Sequence, residues 1–312
     1  MREPTAERVL SAAEAIGFHA APLLKRRMRP EAPVRAFGFL LQKPDAFYRQ
    51  LGSDLEAATA RLTSCRGRAV IEYVTELSPT TIAEALSRIG DAVDAIGVVS
   101  VDHPRVSEAI ARLRAKGKPT FALLSDLTAE ARACYVSRDN RREGRTAAWM
   151  IAKAAPRPGK IGIIVGSHRY LCQETAEISF RAYLRENASG FEAMEPLVNL
   201  EDSRIAYAAT EELIAANPDL VGLYVAGGGM EGAIAAARDQ AEREAIAIVC
   251  NELTPKSRAG LIDGVLTAVI STPTALMANR ALEAMNGALE AGPSATYSQI
   301  IIPFDIFLPT NI

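Results

Sequence analysis

The sequence is poor in the residues that metal sites and disulfide frameworks need. It has four cysteines, none in a CxxC pair, and three histidines that are far apart in the chain. This scatter predicts neither a metal site nor a disulfide set, and it favours a reducing compartment. There is no HExxH or GxSxG motif and no evident set of catalytic partners, so we predict no catalytic residues, no cofactor and no enzyme activity.

Long apolar runs and a large net charge are also missing. No stretch of about 18 apolar residues occurs, and the opening MREPTAERVLSAAEAIGF is charged and lacks a secretory hydrophobic segment. We therefore expect no membrane association and a cytoplasmic location. The formal net charge of −2 limits any binding of phosphate groups to a local patch.

What is present is typical of a two-domain globular protein. The 312 residues are 49% hydrophobic and 23% charged, which is enough to bury two cores. From Arg35 onward, short apolar runs alternate with helical patterns. The apolar runs are residues 36–41, 69–74, 95–101, 120–125, 161–165, 221–226, 245–250 and 268–271. The helical patterns are residues 47–61, 81–89, 106–115, 145–155, 204–216 and 233–244.

Strands that are apolar at nearly every position are buried on both faces, which is typical of parallel sheets covered by helices. About four strand–helix units precede Ser137 and about four follow it. We predict an α/β fold with two doubly wound parallel-sheet subdomains and a cleft between them. Ligands of such sheets bind beyond the carboxyl ends of the strands, which would face this cleft.

The first 35 residues differ from the rest. Residues 5–16 predict a helix that Gly17 ends. The segment after it, HAAPLLKRRMRPEAPVR, is basic and is broken by prolines. A basic run of this kind is the electrostatic footprint of DNA binding, and a solvated basic linker is the alternative interpretation.

Three stretches carry a family resemblance: RVLSAAEAIGFHAAPLLKRRMRPEAPVRAFGFLLQ, YVSRDNRREGRTAAWMIAK and IVCNELTPKSRAGLIDGVLTAVISTPTALM. In order and spacing they resemble the LacI/GalR transcription regulators and, beyond them, the periplasmic sugar-binding proteins of the same fold. The resemblance implies an effector-responsive, DNA-binding repressor that senses a small sugar or polyol in the cleft. It also implies a homodimer that binds operator DNA in its full-length form.

The resemblance implies a domain plan. Residues 1–35 are the remnant of a DNA-binding head with its hinge, because Met1 falls where the third helix of the helix-turn-helix head should begin. Residues 36–138 plus 273–297 form the N-terminal sensor subdomain, and residues 139–272 plus 298–312 form the C-terminal one. The hinge residues expected to contact DNA are Lys25, Arg26, Arg27 and Arg29.

The resemblance also places side chains at the effector site. Asp45 would accept hydroxyl hydrogen bonds, while Phe47 and Tyr48 would cover the apolar face of a pyranose; core packing is the alternative for the two aromatic residues. Glu252 matches the ligand-binding acid of the family, and Thr272 matches its polar residue at the second crossover. The other predicted effector residues are Ser125, Asp126, Glu174, Gly227 and Asn251.

Glu174 departs from the family pattern, because related proteins carry an arginine at this position. Either His168 or Arg169 replaces the function of this arginine, or the ligand differs and bears an amine or only hydroxyl groups; an anionic effector is less expected.

Two alternatives to the repressor stay open. Gly227, Gly229 and Gly232 spell GxGxxG between a strand and a helix, and Glu252 follows 20 residues later, as in a dinucleotide-binding fingerprint. This pattern would fit a nucleotide-cofactor-dependent oxidoreductase. A sugar-binding protein of a transport system would share the predicted fold, but it would need a signal peptide and no basic hinge.

Overall fold

The computed structural model describes residues 8–9, 11–13, 15–16, 18, 32–240, 246–292 and 297–312. From residue 32 onward its strands and helices alternate. The strands are β1 (Val34–Leu41), β2 (Arg66–Tyr73), β3 (Ala95–Val98), β4 (Thr120–Leu123), β5 (Cys134–Arg138), β6 (Lys160–Val165), β7 (Glu192–Ala193), β8 (Leu197–Val198), β9 (Leu220–Val225), β10 (Ala247–Asn251), β11 (Ala268–Ser271), β12 (Ser298–Ile302) and β13 (Asp305–Phe307). The helices are α1 (Ala46–Arg61), α2 (Pro79–Gly90), α3 (Pro104–Ala115), α4 (Asn140–Ala154), α5 (Leu171–Asn187), α6 (Ser203–Ala216), α7 (Met230–Asp239), α8 (Pro255–Ile262) and α9 (Thr274–Ala291).

The first sheet has the strand order β2-β1-β3-β4-β5-β12, and all its pairs are parallel. Successive residues of β1 point to opposite faces: Phe37 and Phe39 pack against α1 and α9, whereas Leu40 packs against α2 and α3. Helices on both faces explain why this strand is apolar at almost every position. We call this sheet and its four helices the first lobe.

The second sheet has the order β7-β6-β9-β10-β11-β13, with β8 also paired to β6. Its edge strand β13 runs antiparallel to β11. Helices α4 and α5 cover one face, and α6, α7 and α8 cover the other. We call this sheet and its five helices the second lobe.

The chain passes between the lobes at three places, from β5 to α4, from β11 to α9 and from β12 to β13. In each lobe the strand order reverses once, between β1 and β3 and between β6 and β9. Loops diverge at such a reversal and leave a crevice at the carboxyl ends of the strands. The predicted α/β fold with parallel sheets is confirmed. In the part of the chain described, no helix has the length and apolar character needed to cross a membrane.

Candidate functional site

A cleft lies where the carboxyl ends of the two sheets face each other. It encloses about 610 Å³ of empty space, part of it open to solvent. Its walls come from the ends of β5 and β10 and from the segments that follow β1, β4, β5, β6, β8, β9 and β10. The lining residues are Asp45, Phe47, Tyr48, Leu124, Ser137, Arg138, Asn140, Cys172, Gln173, Glu201, Ala226, Gly227, Gly228, Met230, Asn251 and Glu252.

Arg138, the last residue of β5, is the central cation of this cleft and is 8% exposed. Its Nε donates to Glu143 Oε2 at 2.6 Å, and its guanidinium also pairs with Glu252. Burial by itself disfavours the charged form, but the two carboxylates more than offset it and raise the pKa of Arg138 well above its ordinary value. The guanidinium therefore stays charged and is held in one orientation.

Glu143 lies in the first turn of α4 and is 1% exposed. Besides Arg138, it accepts a hydrogen bond from Tyr224 Oη at 3.0 Å and from Asn251 Nδ2 at 2.7 Å, both on Oε1. One carboxylate thus fixes side chains from β5, β9 and β10. The sequence analysis missed Glu143, although its position gives a signal: it precedes Ala147 and Ile151 at four-residue intervals, so it is an acid on the buried face of a helix.

Glu252 follows β10 with a φ of 67°, in the left-handed region. Its Oε1 accepts from Arg138 and from Thr272 Oγ1 at 2.8 Å, and its Oε2 accepts from the Thr272 backbone N–H at 2.8 Å. Both oxygens therefore already accept donors from the chain. Thr272 Oγ1 in turn accepts from Arg138. Hydrogen bonds among Arg138, Glu252 and Thr272 therefore connect the first crossing between the lobes to the second.

Glu201 supplies a carboxylate on the other side of the cleft. It follows β8, and both it and Leu200 have positive φ values, 58° and 54°. Gln173 Nε2 donates to its Oε1 at 2.7 Å, and the backbone N–H of Gly228 donates to its Oε2 at 2.8 Å. Burial raises the pKa of Glu201 in spite of these two bonds. The sequence analysis missed this residue because β8 is only two residues long and gives no periodic signal.

Two glycines of the GxGxxG-like segment 227–232 are explained by close packing. A Cβ at Gly228 would lie 2.0 Å from Glu201 Oε2, and a Cβ at Gly232 would lie 1.8 Å from the carbonyl oxygen of Ser203 in α6. The first glycine lets the Glu201 carboxylate reach the backbone, and the second lets α6 and α7 pack together. Close packing therefore accounts for Gly232 of the motif, whereas Gly228 lies between its first two glycines.

The aromatic residues that follow β1 form one wall of the cleft. The rings of Phe47 and Tyr48 meet edge to face, with centroids 5.1 Å apart. Asp45 caps α1 by accepting from the Tyr48 backbone N–H at 2.8 Å. Burial raises the pKa of Asp45 despite this bond, and the charge of Glu231 raises it further. Its carboxylate is thus a helix cap and a group facing the cleft.

The structure brings six of the ten predicted effector residues to the lining, namely Asp45, Phe47, Tyr48, Gly227, Asn251 and Glu252. Three of the other four lie as follows. The Ser125 hydroxyl accepts from the Cys172 backbone N–H at 3.4 Å, Asp126 pairs with Arg132, and Glu174 lies in the first turn of α5. The predicted hinge residues Lys25, Arg26, Arg27 and Arg29 lie outside the described residues. Within the described part of the chain, no cluster of three or more His, Cys, Asp or Glu side chains could hold a metal ion.

The two lobes touch across the cleft. The backbone N–H of Asp102 in the first lobe donates to the carbonyl oxygen of Arg169 in the second at 2.8 Å. Tyr170, in the loop between β6 and α5, is 3% exposed and packs with Val101 and Leu127 in a core cluster of the first lobe. These contacts hold the two lobes in a closed orientation.

Solved structures similar to this chain include sugar-bound solute-binding proteins of ABC transporters. No curated protein sequence gives a significant match. A solute-binding protein of an ABC transporter from Agrobacterium vitis, bound with α-D-tagatopyranose, has a TM-score of 0.81 and 18% identity, with 89% of this chain and 95% of that chain covered. One from Burkholderia graminis in complex with D-arabinose has a TM-score of 0.80 and 16% identity, with coverages of 90% and 97%. One from Actinobacillus succinogenes with bound D-allose has a TM-score of 0.79 and 16% identity, with coverages of 89% and 98%.

These findings correct three predictions. The effector-responsive DNA-binding repressor is wrong, because the solved relatives are solute-binding proteins of ABC transporters. The LacI/GalR assignment holds only for the fold that this family shares with periplasmic binding proteins. The cytoplasmic location is wrong for the same reason. The order and spacing of strand–helix units cannot separate the two families, because both have the same units in the same order.

The sequence itself matches the family described as "Periplasmic binding protein domain" over residues 42–293. A binding-protein family confirms the prediction that the chain is not an enzyme, and it rules out the oxidoreductase alternative. The match covers well over half of the 312 residues, and it includes the residues that line the cleft. The chain therefore belongs to the periplasmic binding protein domain family.

Proposed function

We propose that the protein is the sugar-binding component of an ABC-type transport system and acts in the periplasm. The observation that carries the proposal is the Asn251 side chain. It is 4% exposed and lines the cleft, and among the described residues its Oδ1 has no hydrogen-bond partner. A buried acceptor without a donor is unfavourable by about 1–3 kcal/mol, so a ligand hydroxyl group in the cleft would stabilise the protein.

The chemistry of the walls suits a sugar. The rings of Phe47 and Tyr48 offer an apolar surface that can cover the C–H face of a pyranose. The charged and amide side chains that line the cleft offer hydrogen-bond partners for the hydroxyl groups of a sugar ring. A mixed wall of this kind, apolar on one side and polar on the others, is typical of small-molecule sites. The sugars bound to the solved relatives point in the same direction.

The mechanism requires two orientations of the lobes. A sugar that contacts both lobes binds the closed orientation better than an open one, and it shifts the population toward the closed form. The three crossings act as the hinge, and the Asp102–Arg169 and Tyr170 contacts stabilise closure. A transporter that distinguishes the two orientations would then recognise the loaded form.

The division into subdomains is part of the proposal. Sheet pairing supports a first subdomain that includes β12 and a second that includes β13, so the last crossing would fall at residues 303–304. A homodimer stays a prediction, and sedimentation velocity at micromolar concentration would measure it.

Calorimetric titration with D-tagatose, D-arabinose and D-allose tests the proposed function. We expect at least one sugar to bind, and at a hundredfold excess over its Kd it should add about 2.7 kcal/mol to the free energy of unfolding. Asn251→Ala should weaken that sugar about 10- to 100-fold, since it removes the buried acceptor and its bonds to the cleft. Asn187→Ala, an exposed change outside the cleft, is the control. If neither these sugars nor a wider set of sugars and polyols binds, the proposal is wrong.

Closure gives a separate prediction. Tyr170→Ala should weaken sugar binding about 10- to 100-fold and enlarge the radius of gyration of the free protein in X-ray scattering. The reason is that burying a large apolar side chain is worth about 1.5–3 kcal/mol, and here this burial favours only the closed orientation. Tyr170→Phe keeps the ring and should leave both quantities near their original values. Equal radii for all three proteins would contradict the closure role.

A further inference from the structure

The cleft carries more negative than positive charge. Three lining carboxylates, those of Asp45, Glu201 and Glu252, face one lining guanidinium, that of Arg138. Arg138 is already paired with Glu143 and Glu252, so these two acids together outweigh its single charge. The carboxylates on the opposite side, Asp45 and Glu201, are left to be neutralised by something else.

The hydrogen bonds that Asp45 and Glu201 accept within the described residues come from neutral donors, while Lys43 and Arg49 act on them only through their charge. Glu201 accepts from the Gln173 amide and the Gly228 backbone, and Asp45 accepts from the Tyr48 backbone. Each carboxylate has about four lone-pair sites, so both retain acceptor capacity toward the cleft. Lys43 offsets part of the Glu201 charge, but burial outweighs it and raises the pKa of Glu201, with a further rise from Asp45. The two acids therefore disfavour each other in the empty cleft.

An independent observation also indicates a ligand rich in donors. Asn251 Oδ1, buried in the same cleft, is an acceptor with no partner among the described residues. Its amide orientation is fixed by Nδ2, which donates to Glu143 and to the carbonyl oxygen of Ala226 at 2.9 Å. The region around Asn251 thus presents an acceptor without a partner among the described residues, and the region of Asp45 and Glu201 presents acceptors that also carry negative charge.

We propose that the sugar bound by this protein carries a protonated amine, so that the ligand is an amino sugar or amino polyol whose ammonium group binds between Asp45 and Glu201. An ammonium group has three donors and a positive charge, and it satisfies both carboxylates at once. A neutral sugar would leave the two cleft-lining carboxylates without a cation, and an anionic sugar would add a further negative charge. This inference rests on the proposed function and specifies the ligand class of the same cleft.

Matched ligands test the inference directly. Calorimetry would compare D-glucosamine with D-glucose and N-acetyl-D-glucosamine, and D-galactosamine with D-galactose and N-acetyl-D-galactosamine. In at least one set the amino sugar should bind about 10- to 100-fold more tightly than its neutral parent, the range for a hydrogen bond to a charged group. The N-acetyl form keeps the nitrogen but loses the charge, so it should bind no better than the parent.

Two conservative variants locate the amine. Glu201→Gln and Asp45→Asn remove one charge each, and asparagine remains a good helix cap for α1. Each should weaken binding of the amino sugar about tenfold more than it weakens binding of the neutral parent. Glu211→Gln, on the exposed side of α6, is the matched control and should change neither affinity.

The outcomes separate the two proposals. If neutral sugars bind as tightly as the amino sugars, or if both variants leave the preference unchanged, the amine inference is overturned and the sugar-binding function stands. If no sugar binds, charged or neutral, including those carried by the solved relatives, the proposed function and the inference both fail.

Discussion

Glu143→Ala should lower the free energy of unfolding by about 3–5 kcal/mol, measured by urea denaturation. The reason is that alanine leaves Arg138, which is 8% exposed, with one carboxylate instead of two. It also leaves Tyr224 Oη and Asn251 Nδ2 without the oxygen that they share. A buried charge or donor without its partner is far more unfavourable than the intact pair was favourable.

Two further variants show that the loss comes from the network. Glu143→Gln keeps an acceptor for Tyr224 or Asn251 and removes only the charge, so it should lose less than alanine does. Glu211→Ala, at an exposed position, should change the stability by no more than about 0.5 kcal/mol. A loss below about 1 kcal/mol for Glu143→Ala would mean that Glu252 alone compensates Arg138, and the assigned role of Glu143 would be wrong.

Gly232→Val should destabilise the second lobe by about 3 kcal/mol, the upper end of the usual range for overpacking. A Cβ at this position would lie 1.8 Å from the carbonyl oxygen of Ser203 and 2.8 Å from the backbone nitrogen of Tyr207. These are backbone atoms of α6, so no side-chain rotation relieves the clash and α7 must move away from α6. The urea midpoint should fall, and near-ultraviolet circular dichroism should show whether the packing of the lobe has changed.

A glycine in open surroundings provides the matched control. Gly287 also lies inside a helix, α9, and a Cβ there would meet no atom within 4 Å. Gly287→Ala should stabilise the protein by about 0.5–1 kcal/mol, because alanine loses less backbone entropy on folding. If Gly232→Val behaved like Gly287→Ala, the close approach of α6 and α7 would not be the reason for a glycine at residue 232.

The strands β1–β4, β6 and β9–β11 were predictable because each contains a short apolar run, whereas β5, β7, β8, β12 and β13 lie outside the predicted runs. The run at residues 120–125 contains β4, and the run at 161–165 coincides with β6 to within one residue. The run at 95–101 is longer than β3, since its last residues leave the sheet and enter the loop of Asp102 that contacts the other lobe. Apolar residues do not distinguish a strand from a buried loop that continues it.

Helix α5 was not predicted because its buried face is partly polar. Gln173, Glu177 and Ser179 are buried there together with apolar residues. Two of these polar residues make specific contacts: Gln173 donates a hydrogen bond to Glu201, and Glu177 forms an ion pair with Arg181. Polar functional side chains on the buried face of a helix interrupt the apolar periodicity from which a helix is predicted.

Six of the 16 lining residues were predicted, and the rest of the site depends on distant contacts. Asp45 and Asn251 could be found because each lies at the carboxyl end of an apolar strand. The pairing of Arg138 with Glu252 joins residues 114 positions apart, and no local pattern indicates it. The biological role could not be predicted either, because regulators and transport proteins share the fold and differ in what is attached to it.

The three crossings between the lobes set the order in which the protein can fold during synthesis. The first lobe begins with β1, yet its edge strand β12 and its helix α9 come from the last 40 residues of the chain. The whole second lobe, except β13, must therefore emerge before the first lobe can complete its sheet. Until then β5 keeps an open edge and the α9 side of the sheet keeps an apolar surface, which chaperones bind in growing chains.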